Sequence, residues 1–204
     1  MSKAETTRRR IIAAALDRAS LQGMQGLSLG ELSAALGMSK SGVFAHFGSK
    51  EALQAALLDA MQDRFAAVVW RPARAQPPGR ARLAAVFLNW LAWVDGHHLP
   101  GGCPLTAAAV ELDDQPGPLH DKLVEGQRQW QNLLAELVSA ADDRASPTGC
   151  DRDRAFLLFG MVLAYAQTSR LLRDPDARDR TLNSFARIMG FQATGGPPSG
   201  TAQR

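Results

Sequence analysis

Three groups of residues in this chain have the types and spacing to do chemistry. The first is Ser39-Lys40-Ser41-Gly42, which follows Gly37-Met38 and precedes the apolar Val43 and Phe47. Small polar groups and a lysine at the start of a short helix suit hydrogen bonding to base edges, with the lysine matched to guanine O6 or N7. The second group is the serines expected to open helices, Ser28, Ser39 and Ser49, together with the basic run Arg8 to Arg10. Free amides at a helix start hold phosphate well, although such a basic run also occurs as a merely solvated face. The third group is His97, His98, Cys103 and His120. Imidazole and thiolate are metal ligands, and a Cys-His pair is a nucleophile where the thiolate is stabilised. Adjacent histidines point in different directions and no i,i+4 pair is present, so neither a metal site nor a thiol enzyme is expected. That loop reads as a helix connection with Cys103 half buried. No Gly-Lys-Ser phosphate loop, Gly-x-Ser-x-Gly elbow, His-Glu-x-x-His or Cys-x-x-Cys occurs, and neither catalysis nor a cofactor is expected.

The elements that must position these groups are legible from apolar spacing. Ile11, Ile12, Ala15, Leu16 and Ala19 make one stripe of a helix over 5–22, ended by Gly23. A short helix begins at Ser28, where Glu31 three residues on predicts a reciprocal capping box, and breaks at Gly37. A third begins at Ser39, with Val43, Phe44 and Phe47 as its expected buried face. A fourth follows Ser49, runs through Leu53, Leu57, Met61, Phe65 and Val68, and stops near Arg71-Pro72. Two short helices joined by a glycine turn, with a third helix start directly after, are the layout of a helix-turn-helix, whose second helix enters the major groove. A plain three-helix packing motif is the alternative. After a Pro-rich connection at 71–79, helices are expected near 80–96, 104–113, 118–141, 151–173 and 176–189, about nine in all. The tail at 191–204 has no periodicity and reads as disordered.

Composition agrees with an all-α protein. Hydrophobic residues are 46% and charged residues 21% of the 204, with few β-branched residues. No apolar run approaches the ~20 residues of a membrane span. The apolar stretch after Arg8-Arg9-Arg10 is shorter than the ~7–15 residues of an export signal. Two cysteines make no disulfide scaffold, so the cytoplasm is the expected location. The net charge of +3 is uneven: residues 1–50 hold seven Lys/Arg against three acids, while the remainder is nearly balanced. A basic end on a neutral body fits one face for a polyanion.

The joint pattern Arg8-x-x-Ile11-Ile12-x-Ala14-Ala15, Gly23, Ser28-x-x-x-Leu32-x-x-x-x-Gly37-Met38-Ser39-Lys40 and Val43-Phe44-Ala45-His46-Phe47-x-Ser49-Lys50-Glu51-x-Leu53 resembles the N-terminal domain of TetR-family repressors. Gly101-Gly102-Cys103-Pro104 with Glu111-x-Asp113-Asp114-x-Pro116-Gly117-Pro118 resembles one subgroup of them. The resemblance implies that Lys40, Ser41 and Gly42 face base edges. It also implies that Ser28, Ser39, Phe44, His46 and Lys50 lie along the phosphates, with Arg8 near the groove edge. Three positions depart from the pattern. Phe44 stands where a tyrosine is usual and lacks the phenol that bonds phosphate, Gly42 stands where Thr or Ser is common, and Ala19 where an aromatic is.

The expected architecture is therefore a helix-turn-helix head at 1–50 and a larger helical body at 51–190. By the resemblance, the body senses a small-molecule inducer, pairs into a homodimer, and releases a palindromic double-stranded operator. The alternative is a helical small-molecule binder or enzyme that binds no DNA. Candidate pocket residues are Phe65, Phe87, Trp90, Cys103, Trp130 and Met161. Candidate dimer residues are Phe156, Phe159, Gly160, Leu163, Phe185 and Met189.

Overall fold

A computed structural model describes residues 2–96 and 98–190. Among these the chain is helical with no strand. His97 and the tail expected to be disordered, 191–204, lie outside the described residues. α1 (Lys3–Gln22) starts two residues earlier than expected, because Ser2 and Glu5 form a capping box. α2 (Leu29–Leu36) ends at Gly37, whose φ of 64° is the left-handed conformation that glycine adopts without a Cβ penalty. α3 (Lys40–Ala45) and α4 (Lys50–Phe65) open on Ser39 and Ser49, whose hydroxyls accept the Gly42 and Ala52 amides at 3.0 Å.

Beyond Phe65 the fourth helix does not end. It widens into a π-helical turn, Ala66–Trp70, and closes with the single turn α5 (Arg71–Ala73). The wider turn carries Val69, not the expected Val68, into the core. It also carries the chain through Pro72, which has no amide to continue the ladder. α6 (Arg80–Val94), α7 (Pro104–Leu112), α8 (Pro118–Ala141), α9 (Gly149–Ala166) with a π-helical turn at Gln167–Leu171, and α10 (Ala177–Met189) complete the fold. With α5 counted as the last turn of α4, these are nine helices among the described residues. α9 begins two residues before the expected 151, at a capping box between Thr148 and Asp151.

The buried residues form one continuous cluster that runs from Ile11, Leu32 and Val43 through Leu57 and Met61 to Trp90, Leu158 and Phe185. α4 is the shared member, packed on α1 and on α7 and α8. A loop knot ties α8 to α9. Arg144 and Arg154 both pair with Asp142 and Asp151, at 2.9 Å for Arg144–Asp142, 2.5 Å for Arg154–Asp142 and 2.8 Å for Arg154–Asp151. Asp151 is fully buried and also accepts the Thr148 amide at 2.8 Å. The Arg144 guanidinium first, and the Thr148 groups with it, hold the Asp151 carboxyl well below the usual carboxylate range.

Candidate nucleic-acid interface and ligand cavity

The residues expected to meet DNA come from three helix starts. Ser28, Ser39, Lys40, Ser41 and Lys50 are exposed, while Gly42 and His46 are partly covered. Each capping serine accepts one backbone amide, which leaves the remaining first-turn amides for an outside acceptor. The Lys40 side chain lies beside Gly30, so that a Cβ there would stand 3.4 Å from its Nζ. This brings the first turns of α2 and α3 together on one surface.

Two expectations about this head need correction. Phe44 is not part of the buried face of α3 but 46% exposed. On a helix it is one step round from Val43, which is fully buried, and only one of the two can face the core. The Ser28–Glu31 capping box is also half made. The Ser28 hydroxyl accepts the Glu31 amide at 3.4 Å, but the Glu31 carboxylate lies 3.7 Å from Arg18. Arg8, expected at the groove edge, is exposed yet already engaged. It donates to the His46 carbonyl at 2.5 Å and stacks 4.2 Å above the Phe47 ring. Its guanidinium thereby ties α1 to the end of α3.

The body holds an open-sided cavity of about 300 Å³ between α4, α6, α7, α8 and α9. Of the expected pocket residues, Phe65, Trp90, Cys103 and Trp130 line it. Phe65, Trp90 and Trp130 meet edge to face with centroids 4.8–5.9 Å apart. Phe87 and Met161 do not line it, which corrects that part of the expectation. Phe87 is turned to the far side of α6, where it stacks on Phe185 at 4.1 Å. Phe159, expected at a dimer surface, instead lines the cavity beside Trp90.

The rest of the dimer expectation divides in the same way. Phe156 (72% exposed), Gly160, Leu163 and Ala164 fall on one exposed apolar stripe of α9, with Leu171 continuing it, and Leu163 at its edge also lines the cavity. Apart from the backbone of its own helix and its chain neighbours, no atom lies within 4 Å of where a Gly160 Cβ would be. Phe185 and Met189 on α10, by contrast, are buried against the body. They close the core, and the outer side of α10 carries Asp179, Arg180 and Arg187. Among the described residues the histidines and cysteines make no cluster. His98 is exposed and stacks on Trp93, His120 bonds Asp121, and Cys150 is exposed. Among the described residues no group of three His, Cys, Asp or Glu is placed to hold a metal.

Sequence reasoning missed the contact between head and body. The Glu111 carboxylate, at the end of α7, accepts the backbone amides of Met24 at 2.9 Å and Gln25 at 3.2 Å in the α1–α2 loop. The Gln25 side chain donates back to the Glu111 carbonyl at 3.1 Å. Beside it the Gly101 amide donates to the Ser20 hydroxyl at 3.0 Å. Two glycines permit this approach. A Cβ on Gly101 would stand 1.8 Å from the Ser20 carbonyl oxygen, and one on Gly23 would stand 1.7 Å from a Glu111 carboxylate oxygen. The available signal was the run from Gly101 to Pro104 with Glu111, whose resemblance to a subgroup of regulators carried no structural meaning until the fold joined its two ends to α1. Cys103, Leu105 and Thr106 at the start of α7 line the cavity. One nine-residue helix therefore spans from the cavity wall to the head.

Residues 11–57 match the family described as bacterial regulatory proteins, tetR family, and residues 79–185 match the tetracyclin repressor-like C-terminal domain. No curated protein matches the chain. Among solved structures, it is similar to a TetR-family regulator from Cytophaga hutchinsonii, at 24% identity and TM-score 0.79 over 93% of this chain and 96% of that one. It is also similar to a TetR regulator from Chloroflexus aurantiacus, at 23% identity and TM-score 0.78 over 94% and 98%. AibR, solved with isovaleryl coenzyme A and operator DNA, is similar at 20% identity and TM-score 0.67 over 89% and 97%. Matched by family at both its head and its body, the chain belongs to the TetR family: it is a DNA-binding transcription regulator and not an enzyme.

Proposed function

We propose that this regulator is a repressor that binds a palindromic operator as a homodimer and leaves it when a small molecule enters the body. Residues 1–50 serve as the DNA head and 51–190 as the sensing and pairing body. In this reading Lys40, Ser41 and Gly42 address base edges, and Ser28, Ser39, His46 and Lys50 address phosphates. The observation that carries the reading is the course of α7, with the cavity at one end and the Glu111 anchor of the α1–α2 loop at the other. A molecule that displaces Cys103, Leu105 or Thr106 moves the anchor with them. Ligand and DNA then oppose each other through one coupling free energy, each weakening the other by the same factor. The apolar stripe of Phe156, Gly160 and Leu163 supports a two-fold interface, in which one patch meets its own copy. The similar structure of AibR, which holds both a ligand and operator DNA, supports placing both functions on one chain.

The test is to select bound sequences from random duplexes and to measure affinity for the winner in rising salt. The expected result is a palindrome with half-sites about one turn, or ~34–36 Å, apart, and a log–log salt dependence from counterion release. Absence of sequence enrichment together with salt-independent binding would return the chain to the class of helical small-molecule binders.

A further inference from the structure

The charge pattern of the cavity narrows what it holds, an inference that rests on reading the cavity as the inducer site. Among the described residues that line it, none is a lysine, arginine or histidine. The one carboxylate among these described residues is Asp63, whose side chain is 80% exposed at the rim and lies 3.6 Å from Arg71. The other polar groups are the amides of Gln62, Gln127 and Gln129, the Thr106 hydroxyl, the Cys103 thiol and the indole N–H groups of Trp70, Trp90 and Trp130, of which the Trp130 Nε1 is buried without a hydrogen-bond partner. Lys122, on α8 one turn before Gly126, is paired with Asp59 at 2.6 Å. Inside this rim stand Phe65, Trp90, Trp130 and Phe159.

An anion entering such a space gives up water and finds no cation among the lining side chains in exchange, an unfavourable form of burial. A ring system meets the opposite conditions. Indole and phenyl groups receive another ring stacked or edge on, and their faces attract positive charge. The volume of about 300 Å³ is at the small end of the ~300–1,000 Å³ typical of ligand sites, which suits two fused rings. We propose that the cavity takes a compact aromatic molecule without negative charge, its rings among Phe65, Trp90 and Trp130 and a cationic end toward Asp63.

Calorimetry on the full chain without DNA tests this with three probes of one ring system: 2-naphthylmethylammonium, 2-naphthylmethanol and 2-naphthoate. The ammonium binds most tightly, the alcohol next, and the carboxylate at least about tenfold more weakly than the ammonium. Asp63→Asn, a surface change that leaves the fold intact, weakens the ammonium about three- to fivefold and leaves the alcohol unchanged. Leu105→Trp, which fills the cavity from its wall, reduces binding of ammonium and alcohol together. Naphthoate binding as tight as the ammonium overturns the proposal. So does ammonium binding indifferent to Asp63→Asn, or no binding by any of the three. The expected order without release of operator DNA upholds the ligand class and overturns the inducer role.

Discussion

Lys40 and Lys50 are both exposed at helix starts, and the difference between them is one of task. Lys40 opens the recognition helix, so Lys40→Ala is expected to weaken specific binding by about 1–3 kcal/mol and to alter base preference at one position. Lys50→Ala is expected to weaken all duplexes alike and to reduce the salt slope by about one unit. Titration of both variants against operator and mismatched duplexes checks this, and identical profiles for the two would refute the assignment. Gly101 poses a different residue-scale question. Its missing Cβ leaves room for the Ser20 backbone, and backbone does not rotate away as a side chain does. Gly101→Ala is expected to cost about 1–3 kcal/mol, as overpacking does, and to disturb the seat of the head on the body. Thermal unfolding with DNA titration reads both effects. A variant as stable as the parent and unchanged on DNA would mean that the seam yields freely.

At the scale of elements, α7 is the link between ligand and head. Glu111→Ala removes the acceptor for two loop amides and lets the α1–α2 loop move independently of α7. DNA binding is expected to persist while the inducer's effect on it shrinks, from a coupling of about 1–3 kcal/mol toward zero. Operator titrations with and without inducer measure that coupling. An undiminished response in the variant would direct the search to α4, which also joins cavity and head. The α8–α9 knot predicts a pH effect. Asp151 and Asp142 are held below their ordinary range, Asp151 chiefly by Arg144 and Asp142 chiefly by Arg154. A carboxyl with a lowered folded pKa contributes stability above its unfolded value of about 3.9, and that contribution is lost as pH falls toward the folded value. The parent's advantage in melting temperature over Asp151→Asn is therefore expected to be complete near neutrality and to shrink below about pH 4. Parallel curves for the two proteins down to pH 2.5 would count against the knot.

For the whole molecule, the question is which residues join two copies. Phe159 and Phe185 appeared suitable from their spacing, but one lines the cavity and the other is stacked in the core. Replacing either with a charge tests folding, not assembly. Phe156 and Gly160 face solvent on α9, so Phe156→Glu with Gly160→Glu is expected to give folded monomers that bind half-sites weakly. Light scattering checks this directly: a parent mass near 21.9 kDa at micromolar concentration would exclude the dimer.

By itself the sequence determined the helical class, the position of nearly every helix, and the head with its exposed serines and lysines. Those properties rest on local causes: capping serines, glycine breaks, and apolar spacing within a few residues. Even locally, competition among side chains was not visible. Glu31 closes a capping box in the sequence but turns to Arg18 in the fold, and Arg8 ties α1 to α3. Only the tertiary structure decided which apolar faces meet and which are left over. A stripe such as Phe156, Phe159 and Leu163 has one period whether it faces a core, a cavity or a second copy, and the neighbouring helices assign each side. The Glu111 anchor lay furthest from view, since 87 positions separate it from Met24. Its geometry depends on two glycines, in different segments, that leave space for one carboxylate and one turn of backbone.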